Sequence, residues 1–148
     1  MNFRLKNQND IFCDVPDKNF NFTVLFFYPK DNTPGCTVEV SEFSSLMDEF
    51  EKSGARVFGI SGLDTKSKKK FVEKTNCKID LLADEDFRVS REFGFYRQKS
   101  FMGKKYWGIE RSTVILDSSG RVVQTFKNVK PHGHAKEVLM CLKQHLLG

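Results

Sequence analysis

Apolar residues fall along the chain into short continuous runs and into sets with helical spacing, and the two kinds alternate. The run Phe22 to Tyr28 predicts a buried strand, and Ala55–Ser61 predicts a second strand. Between them, apolar residues recur at intervals of three and four, which predicts a helix from Pro34 to Lys52. The residues that carry this spacing are Val40, Phe43, Met47 and Phe50.

The same alternation continues on both sides of this segment. Asp64 is a good N-cap residue for a further helix, and Gly94 is a good helix stop. The elements predicted here are strands near Phe3–Leu5, Ile11–Val15 and Ile79–Ala83, and helices from Asp64 to Asn76 and from Asp86 to Phe93.

The last third of the chain begins with Phe95 to Glu110, which we interpret as a long loop. Ser112–Leu116 and Arg121–Phe126 then alternate and flank a turn sequence, Asp117-Ser-Ser-Gly120, which predicts a β-hairpin. Residues 133 to 147 predict a final helix. Its apolar face would carry Ala135, Val138, Leu139, Leu142 and Leu146.

This order of elements predicts an α/β protein in which helices flank a central mixed β-sheet. The 148 residues suffice for one domain, and we interpret residues 1–148 as a single domain. A run of about 18 apolar residues is absent, which excludes a membrane helix. The N-terminus lacks the apolar region of a signal peptide, so we expect a cytoplasmic protein with its four cysteines as thiols.

The formal net charge is +5, and much of it lies in two basic segments, Lys66–Lys70 and Lys99–Lys105. We interpret these as a solvated helix face and a basic loop, and we expect neither nucleic acid nor a membrane as a partner. A positive surface of this kind can raise the rate of encounter with an acidic protein.

The segment between the first core strand and the first helix places a cysteine where its chemistry is favoured. Thr33 suits the N-cap, and Pro34 suits the first helical position because its missing N–H costs nothing there. Cys36 therefore falls in the first turn of the helix. Unpaired backbone N–H groups and the positive end of the helix dipole favour a thiolate there over a thiol.

Pro29, Thr33 and Cys36 fit the Pro-x-x-x-Thr-x-x-Cys motif of the peroxiredoxins, which are thiol peroxidases. The string Phe-Tyr-Pro-Lys-Asp-Asn-Thr-Pro-Gly-Cys-Thr resembles that of their bacterioferritin-comigratory (PrxQ) subfamily. Three further segments resemble this subfamily in the same order along the chain. They are Leu81–Asp86, Gly108–Thr113 and Asn128–His134.

The resemblance implies a thioredoxin-like fold and a thiol-dependent peroxidase that uses no cofactor and no metal. Hydrogen peroxide and organic hydroperoxides would be reduced by Cys36, which becomes a sulfenic acid. A thioredoxin-like protein or another thiol reductant would then recycle the sulfenic acid. For the oligomeric state, our own expectation is a monomer or a weak dimer.

The resemblance also implies the roles of four residues beside the nucleophile. Arg111 would hold Cys36 as the thiolate and stabilise the leaving oxygen. Thr33 would hydrogen-bond the peroxide, and its hydroxyl could also cap the helix. Pro29 would shield the sulfur from water, and the backbone N–H groups of Gly35 and Cys36 would complete the anion site.

The usual resolving cysteines of the subfamily are missing, because Ser41 and Val72 occupy their positions. Among the other cysteines, we expect Cys13 and Cys141 to be inert structural thiols. Cys77 could attack oxidised Cys36 if the end of its helix frays; the alternative, which we favour, is direct attack by an external thiol.

Other functions remain open at this stage. A non-enzymatic redox sensor or holdase would need the same reactive Cys36. A dithiol oxidoreductase is disfavoured because Cys36 has no cysteine three residues on. Among the histidines, we expect His134 to pack or hydrogen-bond at a helix start rather than to bind metal.

Overall fold

The centre of the molecule is a mixed sheet of five strands, in a computed structural model that describes residues 2–146. The strands are β1 (Phe3–Lys6), β2 (Phe12–Val15), β3 (Phe22–Phe27), β4 (Ala55–Ser61), β5 (Asp80–Ala83), β6 (Tyr96–Phe101), β7 (Lys104–Ile109), β8 (Ser112–Asp117) and β9 (Val122–Phe126). The α-helices are α1 (Pro34–Ser45), α2 (Met47–Lys52), α3 (Thr65–Thr75), α4 (Arg88–Glu92) and α5 (His134–Cys141), and a π-helical turn, Leu142–Leu146, follows α5.

The central sheet has the strand order β5-β4-β3-β8-β9. Strand β4 is parallel to both β3 and β5, whereas β8 is antiparallel to β3 and to β9. The predicted α/β class with a central mixed sheet is therefore confirmed. The predicted hairpin near Asp117 is also confirmed as β8 and β9.

The side chains of β3 alternate between two cores, as the pleat of a strand requires. Val24, Phe26 and Tyr28 belong to the core on the side of α1, α2, α3 and α5, where the predicted apolar face of the last helix also packs. Leu25 and Phe27 belong to the core on the opposite side, which contains residues of α4, β2 and β7. Both faces of β3 are buried, which explains why its sequence is a continuous apolar run.

The predicted helix from Pro34 to Lys52 is in fact two helices, because α1 ends at Ser45 and α2 begins at Met47. Leu46 between them has φ −101° and ψ 6°. The Ser45 hydroxyl donates to the carbonyl of Glu42 over 2.8 Å, a back-bond of the kind that bends helices.

The prediction of a long loop over Phe95 to Glu110 is wrong, because this segment forms the hairpin β6–β7. Phe101 pairs with Lys104, and the two turn residues Met102 and Gly103 both have positive φ, at 50° and 80°. Such a two-residue turn matches the twist of paired strands. The strands were missed because they are largely exposed and so lack an apolar alternation.

The sheet topology brings two distant parts of the chain together at one edge. Phe27, the last residue of β3, lies opposite Ser112, the first residue of β8. The loop that follows β3, residues 28–33, therefore begins beside Arg111. The N-terminus of α1 lies at the end of that loop.

Candidate active site

Cys36 lies in the first turn of α1, as predicted. The helix begins at Pro34, and Thr33 occupies the N-cap position with the extended backbone expected there, at φ −101° and ψ 156°. The first intrahelical bond runs from the N–H of Thr37 to the carbonyl of Thr33 over 2.8 Å. The side chain of Cys36 is buried in the core that contains Val40 and Phe43.

The hydroxyl of Thr33 does not cap the helix, which corrects one of its two predicted roles. It donates instead to the carbonyl of Lys30 over 3.0 Å, and within residues 2–146 the side chain makes no capping bond. Short hydroxyl side chains readily bond to nearby backbone in this way. The hydroxyl proton of Thr33 therefore takes part in a hydrogen bond within the loop, and the hydroxyl oxygen can still accept a hydrogen bond from another donor.

Arg111 reaches Cys36 from the position immediately before β8. Its Nη2 lies 3.4 Å from Sγ of Cys36 and donates to it. Gly35 leaves room for the guanidinium, because a Cβ added there would be in tight contact with it, 3.2 Å from Arg111 Nη2 and 3.5 Å from Cγ of Pro131. A fixed positive charge therefore stands beside the sulfur.

Glu39 is a member of this site that the sequence analysis missed. Its Oε1 accepts a hydrogen bond of 2.7 Å from Nη1 of Arg111, and its side chain is fully buried. Burial raises the pKa of Glu39 to about 7, although the nearby charge of Arg111 acts in the opposite direction. Among residues 2–146, no donor bonds to its second oxygen, Oε2.

The sequence did contain a signal for Glu39. A carboxylate three residues after Cys36 lies on the same face of the helix, next to the core residues Val40 and Phe43. A charged residue on an apolar helix face needs a partner. Here that partner is Arg111, whose guanidinium donates to Glu39 through Nη1 and to Cys36 through Nη2.

Lys99 adds a second cation close to the site. Burial lowers the pKa of Lys99, and the positive charge of Arg111 lowers it further, whereas Cys36 and Glu110 act in the opposite direction. This residue lies on β6, inside the segment that was predicted to be a loop. Arg111 and Lys99 therefore both bring positive charge close to Cys36.

Pro29 lies near the start of the loop that leads into α1, and Gly35 lies just beyond its end. Pro29 follows Tyr28, whose N–H donates to the carbonyl of Ile60 over 3.1 Å and so extends the pairing of β3 by one residue. Gly35 is the second residue of α1, where helical geometry leaves the backbone N–H without an intrahelical acceptor. The structure thus brings Gly35, Cys36 and Arg111 into one neighbourhood, with Thr33 at the N-cap and Pro29 in the loop that precedes it.

Cys77 is not part of this neighbourhood. Its Sγ contacts the backbone of Ile79 at 3.3 Å, and the next residue, Lys78, donates its N–H to Oγ of Ser44. Ser44 and Cys36 are eight residues apart on α1, which corresponds to about 12 Å along the helix axis. A disulfide needs Cα atoms within roughly 7 Å of each other, so Cys36 and Cys77 cannot pair without a rearrangement.

All four cysteines are thiols in this structure. Burial raises the pKa of Cys13, Cys77 and Cys141, so the thiol form of each is favoured over the thiolate. Cys141 is half-buried rather than fully in the core. Arg56 and Asp80 act on Cys13 in opposite directions, and within the described residues no arginine donates a hydrogen bond to any of these three sulfurs.

The predicted role of His134 at a helix start is confirmed. Its ring is buried, with Nε2 at 2.7 Å from Thr113 Oγ1 and Nδ1 at 2.8 Å from Glu137 Oε1.

Within residues 2–146, no three or more histidine, cysteine or acidic side chains are grouped so that they could bind a metal ion. The same range contains no helix that is long and apolar enough to cross a bilayer.

A buried sulfur at a helix start, beside an arginine, is an arrangement for nucleophilic attack by a thiolate. The helix N-terminus and the guanidinium both favour negative charge at the sulfur before reaction. Arg111 can also stabilise negative charge that develops on an oxygen bonded to that sulfur. The geometry therefore suits the reduction of a bond between two oxygen atoms.

Comparisons with known proteins agree with this chemistry. Residues 1–125 match the AhpC/TSA family. Peroxiredoxin Bcp of Xanthomonas campestris is 43% identical over 125 residues, which cover 84% of this chain and 78% of that protein. Peroxiredoxin Bcp of Escherichia coli K12 is 38% identical over 143 residues, which cover 97% of this chain and 92% of that protein.

A solved structure of the Xanthomonas campestris bacterioferritin comigratory protein is also similar to the whole fold. It comes from work on alkyl peroxide reduction with a trapped intermediate/ligand complex. The two structures superpose with a TM-score of 0.89 at 38% identity, over 97% of this chain and 91% of that one. This likeness confirms the thioredoxin-like fold that the sequence resemblance implied.

Proposed function

This chain belongs to the AhpC/TSA family and is a peroxiredoxin, a thiol-dependent peroxidase, and from that premise we propose that Cys36 is its peroxidatic cysteine. The observation that carries the assignment is the 3.4 Å contact between Arg111 Nη2 and Cys36 Sγ at the start of α1. None of the other three cysteines combines a helix start with an arginine in the described part of the chain.

In the proposed reaction, the Cys36 thiolate attacks one oxygen of the peroxide. The S–O bond forms while the O–O bond breaks, and sulfur loses two electrons to become a sulfenic acid. The leaving oxygen takes up one proton and departs as water or as an alcohol. Arg111 stabilises the negative charge that develops on this oxygen.

Thr33, Pro29 and Gly35 complete the proposed site. Because the Thr33 hydroxyl donates to Lys30, its oxygen can accept a hydrogen bond from the O–H of the peroxide. The N–H groups of Gly35 and Cys36 can donate to the charged oxygen, as at other helix starts. Pro29 has no N–H and shields the sulfur from water.

The proposed substrates are hydrogen peroxide and organic hydroperoxides. The site needs only a hydroperoxide O–OH group for the contacts described above, so the group on the other oxygen can vary. The likeness to the Xanthomonas protein, which was studied for alkyl peroxide reduction, supports the inclusion of organic hydroperoxides. We place the reaction in the cytoplasm, where thiols are kept reduced.

We further propose that an external thiol, rather than Cys77, reduces the sulfenic acid. The separation of about 12 Å along α1 between Cys36 and the neighbourhood of Cys77 argues against direct pairing. Burial also keeps Cys77 in its less reactive thiol form by raising its pKa. The chain would then work with one cysteine and a protein reductant.

We expect a single oxygen atom to add to Cys36 when the protein reacts with one equivalent of hydrogen peroxide without reductant. Intact mass and peptide mapping with a sulfenic acid trap measure this directly. A rapid, high-yield Cys36–Cys77 disulfide would contradict the one-cysteine route but leave Cys36 as the peroxidatic residue. An unmodified Cys36 would contradict the assignment itself. Repeated reduction of hydrogen peroxide with thioredoxin as the reductant would distinguish an enzyme from a redox sensor.

The hairpin β6–β7 supports an acidic, thioredoxin-like protein as the reductant. Its turn exposes apolar side chains, with Met102 87% and Phe101 68% exposed. Residues 96 to 109 contain four basic residues and no acidic residue. Lys99 on the same hairpin is close enough to Cys36 for the two groups to interact electrostatically.

The positive charge of the hairpin also bears on the oligomeric state. Two copies of this basic surface repel each other, which agrees with a monomer or a weak dimer of one-domain chains.

We expect Lys104→Glu/Lys105→Glu to slow reduction by thioredoxin about tenfold at low salt, because charge complementarity chiefly raises association rates. The matched control is Lys66→Glu/Lys69→Glu, which reverses two exposed charges on α3. Stopped-flow reduction of the oxidised protein is compared between thioredoxin and dithiothreitol, which is small and uncharged. Equal slowing by both double variants, or equal slowing with dithiothreitol, would exclude docking on the hairpin.

A further inference from the structure

A network of buried polar side chains lies beside the active-site loop and takes no part in the reaction described above. Lys68 and Asp31 are an ion pair with Nζ and Oδ2 3.2 Å apart, and their side chains are 0% and 1% exposed. Tyr28 and Ser61 are buried with them, and Ser67 is half-buried at the edge. The network connects the loop after β3 with β4 and α3.

Both charges in this network are fully hydrogen-bonded. Lys68 Nζ donates to Asp31, to Ser61 Oγ over 2.8 Å and to the carbonyl of Leu63 over 3.0 Å, which uses its three protons. Asp31 also accepts from the Tyr28 hydroxyl over 2.6 Å and from Ser67 Oγ over 2.8 Å. Burial of two charges is tolerated only with this degree of pairing.

Asp31 lies in the middle of the loop that carries the peroxide-binding residues, between Pro29 and Thr33. Its neighbour Asn32 has φ +65° and accepts a hydrogen bond from Lys74 Nζ over 2.6 Å. Lys68 and Lys74 both belong to α3. Two adjacent residues of the loop are therefore held from the same helix, one by a buried contact and one by an exposed contact.

The network is also close enough to Cys36 to be coupled to it electrostatically. Burial raises the pKa of Tyr28 well above its usual range, Asp31 raises it further, and the charge of Cys36 acts in the same direction. The ring of Tyr28 lies beneath Lys68 Nζ at 5.7 Å. Hydrogen bonds thus run from α3 through Asp31 to Tyr28, and Tyr28 belongs to the same buried core as Cys36.

We propose that the Asp31–Lys68 pair is a positioning device that holds the loop of residues 29–33 in the conformation that binds peroxide. The proposal rests on Cys36 being the peroxidatic thiol. Stability alone is a weak reason for the pair, since apolar residues of similar volume often replace buried ion pairs without loss of stability. A defined geometry for Pro29 and Thr33 is a stronger reason, because small displacements at a reactive centre cost large factors in rate.

The test compares two reactions of the same thiol. Reaction with hydrogen peroxide needs the thiolate and a correctly placed loop, whereas alkylation by iodoacetamide needs the thiolate alone. In Asp31→Asn/Lys68→Met, which removes both charges together, we expect the peroxide rate constant to fall by about tenfold to a hundredfold. The alkylation rate constant should change by less than about threefold at the same pH.

The matched control is Arg56→Met. It breaks the ion pair between Arg56 Nη2 and Asp80 Oδ2, which are 2.7 Å apart, at the end of β4 opposite to Ser61. We expect it to lower stability and to leave the ratio of the two rate constants unchanged. If the double variant does not fold, Ser67→Ala removes one contact to Asp31 with little loss of packing and should lower the same ratio more modestly.

An unchanged ratio in a folded double variant, or in Ser67→Ala when the double variant does not fold, would overturn the proposal. So would an equal change in Arg56→Met. Wild-type protein in which peroxide leaves Cys36 unmodified would instead contradict the proposed function, so the two failures are distinguishable.

Discussion

We expect Cys36→Ser to lose peroxide reduction by on the order of a thousandfold or more while the fold is retained. A serine hydroxyl is nearly the same size as the thiol and fits the same buried position at the start of α1. However, it stays protonated under conditions in which the cysteine forms a thiolate, so the nucleophile is lost. Peroxide consumption with dithiothreitol, and the thermal midpoint of unfolding, measure the two parts of this expectation.

Cys77→Ser and Cys141→Ser are the controls for this prediction. Both replace half-buried thiols whose pKa is raised by burial. We expect Cys141→Ser to lower stability only, because a hydroxyl is a poor neighbour for the apolar side of α5. Full peroxidase activity in Cys36→Ser, or its loss in Cys141→Ser, would show that the nucleophile has been assigned to the wrong residue.

The elements of the central sheet could be predicted from sequence because their patterns are local. β3 is buried on both faces and is therefore a continuous apolar run, and the turn before β9 has clear turn residues. Cys36 could be placed at the helix start because Thr33 and Pro34 precede it. The identity of its partner depended on the resemblance, since Arg111 alone could equally have been a surface arginine paired with Glu110.

What the sequence could not supply depends on contacts between distant segments. Glu39 looks like an ordinary polar residue of a helix until β8 brings Arg111 against it. Asp31 and Lys68 are separated along the chain by α1, α2 and β4 and lie in segments that look solvated, yet the fold buries both. The hairpin β6–β7 could not be predicted for a different reason. Its strands are largely exposed, so their sequences lack the alternation of apolar and polar residues that indicates a half-buried strand.

The second large effect is expected for Arg111→Ala. Loss of the guanidinium removes the donor to Cys36 Sγ and the charge that stabilises the leaving oxygen. We expect the peroxide rate constant to fall by more than about tenfold, toward the 10²–10³-fold that loss of an oxyanion donor typically costs. Alkylation of Cys36 should also shift to higher pH, because the thiolate has lost its neighbouring charge.

Arg111→Lys and Arg111→Ala/Glu39→Gln separate the two contacts of the guanidinium. Lysine keeps the charge but lacks the planar fork that reaches Cys36 and Glu39 together, so its rescue should be partial. In Arg111→Ala, only burial acts strongly on Glu39, so its pKa rises above the value of about 7 that it has beside Arg111. Because the folded-state pKa of Glu39 is above its unfolded value, protonated Glu39 contributes stability at low pH, and this contribution is lost as the pH rises through the folded-state pKa.

The stability of Arg111→Ala should therefore fall more steeply above neutral pH than that of wild type, and Glu39→Gln should remove this extra fall without restoring the rate of peroxide attack. Denaturant midpoints and stopped-flow rates across pH 6 to 9 would measure both. An alkylation profile in Arg111→Ala that matches wild type would mean that the helix start alone activates Cys36. Recovery of the peroxide rate in the double variant would mean that the stranded carboxyl, and not the lost guanidinium, had caused the defect.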